Sequence, residues 1–356
     1  MHGMQALVVT PGQPDSARLA QMDEPSPDEG AVLVEMVAVG VCGTDREILH
    51  GDYGEGPGGE QALVLGHESL GRVLEAPAGS GLASGDLVVG MVRHPDPVPC
   101  VNCAVGEWDM CRNGQFTEHG IKGRHGFCRE RFRLEPGRLI RVEPALGLRG
   151  VLLEPTSVVA KAWEHILRIG GRARFAPRRA LITGGGPIGL LAALIAVQHG
   201  LEVHLLDHAQ EGLKPALTRE LGATYHGDPG ELAGQTFDVI VECTGAPQLV
   251  LGVMSWSGPD GIVCLTGVSS GGRKLPVDLG DLARGIVLEN TAIFGSVNAN
   301  RRHYEQAATA LARADQGWLG RLITRRVPMA RWSAALARDK GDVTVVILGP
   351  GADGLT

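Results

Sequence analysis

The chain has 356 residues, 44% of them hydrophobic and 21% charged, with a formal net charge of -7. That length is enough for two domains, each with its own core. The acidic balance excludes a general nucleic-acid-binding surface, which is basic, and seven cysteines, an odd count in a long chain, fit no disulfide framework.

Residues 1 to about 157 are rich in Gly, Pro and short β-branched runs. Segments 31–39 and 86–90 read as strands. Glycine falls at almost every change of direction, the texture of an irregular β-barrel with long loops. Helical spacing over 152–170 leads into a strand at 180–183. The next helix, 187–200, starts with Pro near its first turn and ends at Gly, as helix boundaries favour. Short buried-type strands follow at 201–207, 237–243 and 261–267, separated by helix-length segments. Such alternation specifies a parallel sheet covered by helices. A last β-branched strand, 341–349, is expected to return to the first domain. The predicted organisation is a catalytic domain, 1–157 plus 299–356, split by an inserted dinucleotide domain, 158–298.

Met1-His2-Gly3-Met4-Gln5 lacks the basic start and apolar stretch of a secretion signal. The longest apolar run near a helix, 188–197, is about half the ~20 residues of a membrane span. The expected address is the cytoplasm, with neither membrane nor nucleic acid as partner.

Gly184, Gly186 and Gly189 follow a strand and open a helix, with Pro187 and Ile188 in the first turn. In that context the three glycines serve a tight turn, backbone approach to pyrophosphate and close helix–strand packing. The helix N-terminus offers free N–H groups to phosphate. Asp207 closes the second strand, where an acid grips the adenosine ribose hydroxyls. It would repel a 2′-phosphate, and His208 and Ala209 supply no firm cation, so NAD is favoured over NADP.

Cys42, His67 and Glu154 form a thiolate, imidazole and carboxylate set spread along the chain. Catalytic zinc sites use three such ligands and keep a fourth position open for water or substrate oxygen. Glu68 is a candidate outer group or alternate ligand, and Asp45 a candidate acceptor fixing the His67 tautomer. Taken singly, each has an ordinary reading as a packed or surface residue. Zinc followed by a dinucleotide fingerprint implies metal-assisted hydride transfer. A second cluster, Cys100-x-x-Cys103 followed by Cys111, has the compactness of a structural zinc clamp. Such a site wants four ligands; Asp96 is the candidate fourth, with Asp109 and Cys128 poorer, and the alternative is a lobe that has lost its metal.

These residues carry a resemblance. The chain resembles the medium-chain zinc-dependent dehydrogenases over nearly its full length, and within them the glucose 1-dehydrogenase branch. The matching pieces are Cys42-Gly43-Thr44-Asp45-Arg46-Glu47-Ile48, Gly66-His67-Glu68, Val92-Arg93 and Gly106-Glu107-Trp108-Asp109-Met110-Cys111. They continue through Glu118-His119-Gly120-Ile121, His125-Gly126-Phe127, Leu153-Glu154-Pro155 and Gly295-Ser296-Val297-Asn298. The resemblance implies a GroES-like barrel plus a Rossmann domain, and oxidation of an aldose such as glucose at its anomeric carbon to a lactone. It implies catalytic zinc on Cys42, His67 and Glu154 with Glu68 close by, and Thr44 as a hydroxyl proton relay. Glu118 and Asn298 match residues that hydrogen-bond sugar hydroxyls, with His303 a weaker candidate, and relatives are homodimers or homotetramers.

Three departures accompany it. Many relatives have Asn-Arg-Arg-like residues accepting NADP where this chain has Asp207-His208-Ala209. Pro97 occupies the place of the first structural-zinc cysteine, and Glu47 stands where simple alcohol dehydrogenases place a relay histidine. The same apparatus could serve a cyclitol, a polyol or a secondary alcohol. A non-catalytic dinucleotide binder and a zinc-free quinone reductase are both disfavoured by Cys42, Thr44, His67 and Glu154.

Overall fold

The computed structural model describes residues 3–269, 274–337 and 339–355. The chain divides into two compact units, Met1–Ser157 with Asn298–Thr356, and Val158–Val297.

The first unit is built on the strand Val32–Val41. It pairs antiparallel with Glu68–Glu75, with Arg131–Leu134 and with the C-terminal strand Thr344–Leu348. Its second half is buried at every residue from Met36 to Val41, which is why the sequence there is a continuous apolar run rather than an alternating one. Val34, Met36, Val39, Phe127, Phe132 and Ile347 are among the residues of the core around it. Register then does the positioning. Gly40 stands opposite Glu68, so the chain leaving the central strand at Val41–Cys42 meets the chain entering its neighbour at His67. A small antiparallel pairing of Arg93–His94 with Thr117–His119 places Arg93 opposite Glu118.

The second unit carries a parallel sheet of six strands. Their order is Thr224–His226, Glu202–Leu206, Arg179–Thr183, Phe237–Glu242, Ser257–Leu265 and Ala292–Gly295. The order runs outward from Arg179–Thr183 in both directions, so the strand carrying the glycine turn stands at the topological switch point, where doubly wound sheets bind ligands. The helix after it, Pro187–Gln198, is almost wholly buried and apolar all round, as befits a helix enclosed by its own domain. No described helix is long and apolar enough to cross a membrane.

Candidate active site

Cys42 is the N-cap of the helix Gly43–Leu49. Its sulfur accepts the Thr44 N–H at 3.3 Å, and Asp45 Oδ2 accepts the Cys42 N–H at 2.9 Å. This reciprocal cap fixes the thiol where the central strand ends. It also turns the other carboxylate oxygen, Asp45 Oδ1, toward His67 Nδ1, 3.5 Å away. Cys42, Asp45 and His67 present donor atoms all within 4.8 Å of one another. Burial opposes a charge on His67, but the facing Cys42 and Asp45 outweigh it and raise its pKa well above the ordinary value.

Two buried carboxylates complete the pocket. Glu154 lies in the first turn of the helix Leu153–Gly170. Burial pushes its carboxyl up to about 7, with His67 opposing and Asp45 and Glu118 adding to the rise. Burial pushes Glu68 up to about 8, and the charge of Glu154 is the next cause. Acids held this far from their normal range in a dry pocket mark a place where positive charge is wanted. Asp45 Oδ1 and His67 Nδ1 are also buried without a hydrogen-bond partner. A thiol, an imidazole and a buried carboxylate suit zinc, and a carboxylate behind the imidazole is the usual outer support of a zinc-bound histidine. The residues fit the ion. Glu154 is not among the three groups within mutual 4.8 Å reach, although its electrostatic neighbours are His67 and Asp45.

Beside this pocket in the first unit stands a polar bracket. Glu118, 4% exposed, receives Arg93 Nε at 3.0 Å, Arg93 Nη2 at 2.9 Å and Asn298 Nδ2 at 2.6 Å, all on Oε1. Asn298 holds a left-handed backbone, φ 62°, and its Oδ1 accepts the Ala299 N–H at 2.8 Å. A strained polar residue oriented at both ends of its amide is the kind of feature that clusters at functional sites. Burial raises the Tyr53 phenol, with Glu118 the next cause, which marks Tyr53 as a neighbour of the bracket that the sequence did not single out.

His303 does not join the bracket. It is fully buried in the helix Arg301–Arg313, and its Nδ1 accepts the Asn300 N–H at 3.2 Å as the return half of a capping box. The cap engages Nδ1 and leaves the expected sugar contact of this ring a proposal.

Cys100, Cys103 and Cys111 bring their sulfurs within 4.8 Å of one another. Asp96 is outside that group, though its backbone N–H donates to the Cys103 sulfur and its Oδ2 is buried without a hydrogen-bond partner. Its Oδ1 accepts the Val98 N–H at 2.8 Å, a local turn of Asx type that sets the carboxylate's direction. Asp109 is drawn to Asn300, whose Nδ2 donates to Oδ1 at 2.7 Å, and Cys128 is buried in the barrel core. Backbone donors, led by the Arg112 N–H, lower the Cys100 thiol to about 6, while burial raises Cys103 to about 11.

In the second unit Gly184 has φ +92°, a conformation that side chains resist, and a Cβ on Gly189 would overlap the Gly184 carbonyl oxygen. Gly186, the N-cap of Pro187–Gln198, makes no side-chain cap and has open space around it. The first-turn N–H groups are therefore free for an anion. Asp207 Oδ2 accepts the Gly185 N–H at 2.6 Å and Oδ1 the Ala209 N–H at 3.0 Å, with Lys214 Nζ 3.7 Å from Oδ2. A cavity of about 110 Å³ lies alongside, lined by Leu206, Asp207, His208, Pro229, Thr244 and Leu249. His208 itself is 92% exposed at its side chain. Sequence reasoning missed Glu242, wholly buried, which accepts from Thr183 Oγ1 at 3.1 Å and the Thr244 N–H at 2.7 Å and so ties the glycine strand to its neighbour.

A parallel dinucleotide sheet in one unit and a buried thiol–imidazole–carboxylate pocket in the other define a zinc-dependent dehydrogenase acting on CH–OH groups. The family model for the alcohol dehydrogenase GroES-like domain matches residues 28–144, and that for the glucose dehydrogenase C-terminus matches residues 148–348. The chain belongs to the glucose dehydrogenase family of the zinc-dependent alcohol dehydrogenases. It is 40% identical to a glucose 1-dehydrogenase of Methanocella arvoryzae, over 97% of this chain and 99% of the relative. It is 38% identical to that of Thermoproteus tenax, again over 97% and 99%. The solved glucose dehydrogenase of Haloferax mediterranei, in complex with NADP, Zn and gluconolactone, superposes with a TM-score of 0.88 at 32% identity, covering 97% of this chain and 99% of that one.

Proposed function

We propose that this protein oxidises an aldose such as glucose at its anomeric carbon, giving the lactone, with NAD(P) as hydride acceptor. The observation that carries the sugar assignment is the bracket on Glu118. Its Oε1 accepts two hydrogen bonds and lies 2.9 Å from Arg93 Nη2, no described residue donates to Oε2, and the second N–H of the neighbouring Asn298 amide has no acceptor among the described residues. An acceptor next to a donor matches adjacent sugar hydroxyls, each of which both gives and takes a hydrogen bond.

When bound, zinc supplies Lewis acidity at the alcohol oxygen and the nicotinamide supplies the hydride acceptor. Cys42, His67 and Glu154 would hold the metal, with Asp45 orienting His67 through Nδ1 and Glu68 adding buried negative charge nearby. Thr44, half-buried beside Cys42, would carry the hydroxyl proton outward. Glu118 and Asn298 fix the sugar so that its anomeric carbon is presented in one orientation, an entropic contribution to rate. Gly184, Gly186 and Gly189, with Pro187 and Ile188 in the first helical turn, receive the pyrophosphate, and Asp207 takes the ribose hydroxyls. Asp207 supports NAD as the preferred cofactor.

Homodimers or homotetramers are part of this reading. The helix Leu279–Leu288 buries none of its residues, and Val287 and Leu288 are 72% and 64% exposed beside the outermost strand Ala292–Gly295; exposed apolar surface of this kind marks association. The odd cysteine count supports the cytoplasm. A panel of aldoses, cyclitols, polyols and simple alcohols, read by absorbance of the reduced cofactor, tests the substrate. Aldoses should lead the panel; a cyclitol or secondary alcohol leading it would reject the sugar assignment.

A further inference from the structure

Glu118 can read a sugar only if one of its oxygens is kept out of the protein's own hydrogen bonds. The structure achieves this with a single guanidinium. Arg93 is 8% exposed and stands opposite Glu118 across two antiparallel strands. Its Nε and Nη2 both reach Oε1, at 3.0 and 2.9 Å, where a freely paired arginine would grip both carboxylate oxygens in a fork. The end-on arrangement is enforced from the far side. Nη1 donates to the Asp109 carbonyl at 3.1 Å, and the Phe116 ring lies 3.8 Å from the guanidinium carbon. Asp109 is in turn held by Asn300 Nδ2 at 2.7 Å. With its third nitrogen and its face both engaged, the guanidinium cannot rotate to take Oε2.

We propose that Arg93 is a specificity-determining positioning residue, which confines its ion pair to Glu118 Oε1 and thereby reserves Oε2 for a sugar hydroxyl. This rests on the reading of Glu118 as a sugar contact. Because the anchoring carbonyl belongs to Asp109, in the turn Trp108–Met110 that leads directly into Cys111, the pairing also makes sugar recognition dependent on the shape of the cysteine lobe. Lysine cannot substitute. Its ammonium is a point charge without a planar fork, free to sit between the two oxygens.

The test is steady-state kinetics of the zinc-loaded enzyme with the variants Arg93→Ala, Arg93→Lys and Glu118→Ala, using glucose and a simple secondary alcohol. Loss of a charge-assisted contact predicts a rise of roughly ten- to hundredfold in the glucose KM for Arg93→Ala. The KM for dinucleotide and the turnover of the simple alcohol should stay near those of the unmodified enzyme. Millimolar ethylguanidine should restore the glucose KM of Arg93→Ala, a readout that a merely structural role would not move. Arg93→Lys should fold, keep its charge and still show the raised KM, so it carries the test if Arg93→Ala does not fold. An unchanged glucose KM in Arg93→Lys overturns the proposal, as does parallel loss of every activity without rescue. If Glu118→Ala itself leaves glucose discrimination untouched, the sugar reading of Glu118 fails first; if Glu118→Ala raises the glucose KM and the Arg93 variants do not, only the positioning role falls.

Discussion

Replacing Asp207 by Asn removes one charge and almost no volume, so its consequences can be worked from the contacts. Asp207 accepts two backbone N–H groups with different oxygens, Gly185 on Oδ2 and Ala209 on Oδ1. An amide has one acceptor oxygen, so one of those N–H groups would face the new NH2. The unmade bond costs about 1–3 kcal/mol locally, which should lower the unfolding midpoint without abolishing the fold. Toward NAD, the loss of a charged acceptor from the ribose hydroxyls is worth about 1.5–3 kcal/mol, roughly ten- to hundredfold in kcat/KM. Toward NADP the sign reverses. A unit charge about 4 Å from another of like sign repels by about 4 kcal/mol at an effective dielectric near 20. Lys214, 3.7 Å from Oδ2, already offsets part of that repulsion and in the variant would face a 2′-phosphate uncompensated. The ratio of kcat/KM for NAD over NADP should therefore fall by about a hundredfold or more in Asp207→Asn. Initial rates at saturating glucose with each cofactor, alongside a denaturation curve to show the variant folded, measure it. A ratio that moves by less than about threefold, under 1 kcal/mol, refutes the reading of Asp207 as the discriminating charge.

Cys42→Ala should abolish glucose oxidation while dinucleotide binding, followed by fluorescence of the reduced cofactor, persists; retained turnover would remove the catalytic metal from the mechanism. Metal analysis of the purified protein should give two zinc ions per chain, and Cys103→Ala should lower the count to one while raising the glucose KM less than Glu118→Ala does; a single zinc in the unmodified protein rejects the cysteine clamp. Gly189→Ala forces a Cβ against the Gly184 carbonyl, an overpacking cost of about 1–3 kcal/mol, and should weaken dinucleotide binding along with the unfolding midpoint. Burial, followed by neighbouring positive charge, lowers His94 to about 2, and burial leads the fall of His119 to about 3. Both stay neutral in the fold, but the unfolded chain takes up their protons below its pKa of about 6.5. Stability is therefore lost as pH falls below that value, by about 1.4 kcal/mol per pH unit for each group. His94→Gln should make the slope of unfolding free energy between pH 6.5 and 5 shallower by about that one-group amount; an unchanged slope refutes the assignment.

What the sequence could announce was set by the range of each interaction. The glycine turn at Gly184–Gly189 and the strand before it were legible because every constraint on them is local: a positive φ, a close carbonyl, a helix opening at Pro187. The terminal strand Thr344–Leu348 was legible for a related reason, since a β-branched run with no polar face must lie inside a sheet. Cys42 and His67 could be joined only through the type of ligand each offers. The register that brings them together, Gly40 opposite Glu68, leaves no mark in either segment. Asp96 was ambiguous in the sequence for the opposite reason. Its nearest demand is a backbone N–H two residues on, and such short-range competition is available to any Asp before a turn. His303 is subject to the same economy, as its ring closes the cap of its own helix.

Arg93 shows where composition and motif stop. The dipeptide Val92-Arg93 carried a likeness but no role, because the residue's partners lie 16 and 25 positions along the chain. Only the cross-strand pairing with Glu118, the Asp109 carbonyl and the Phe116 ring together determine which carboxylate oxygen it takes. On the proposed reading, selectivity in this pocket resides less in the residues that would touch a sugar than in how fully the protein occupies their other valences. A glutamate in solution offers two equivalent oxygens. Glu118 offers one, and a site with one acceptor in a fixed direction rejects a substrate that lacks a hydroxyl there, because the buried oxygen would then be left unpaired. On the proposed reading, metal chemistry at Cys42 and His67 could act on any alcohol, and what would narrow it to a sugar is the constraint placed on a carboxylate by a neighbour that touches no substrate.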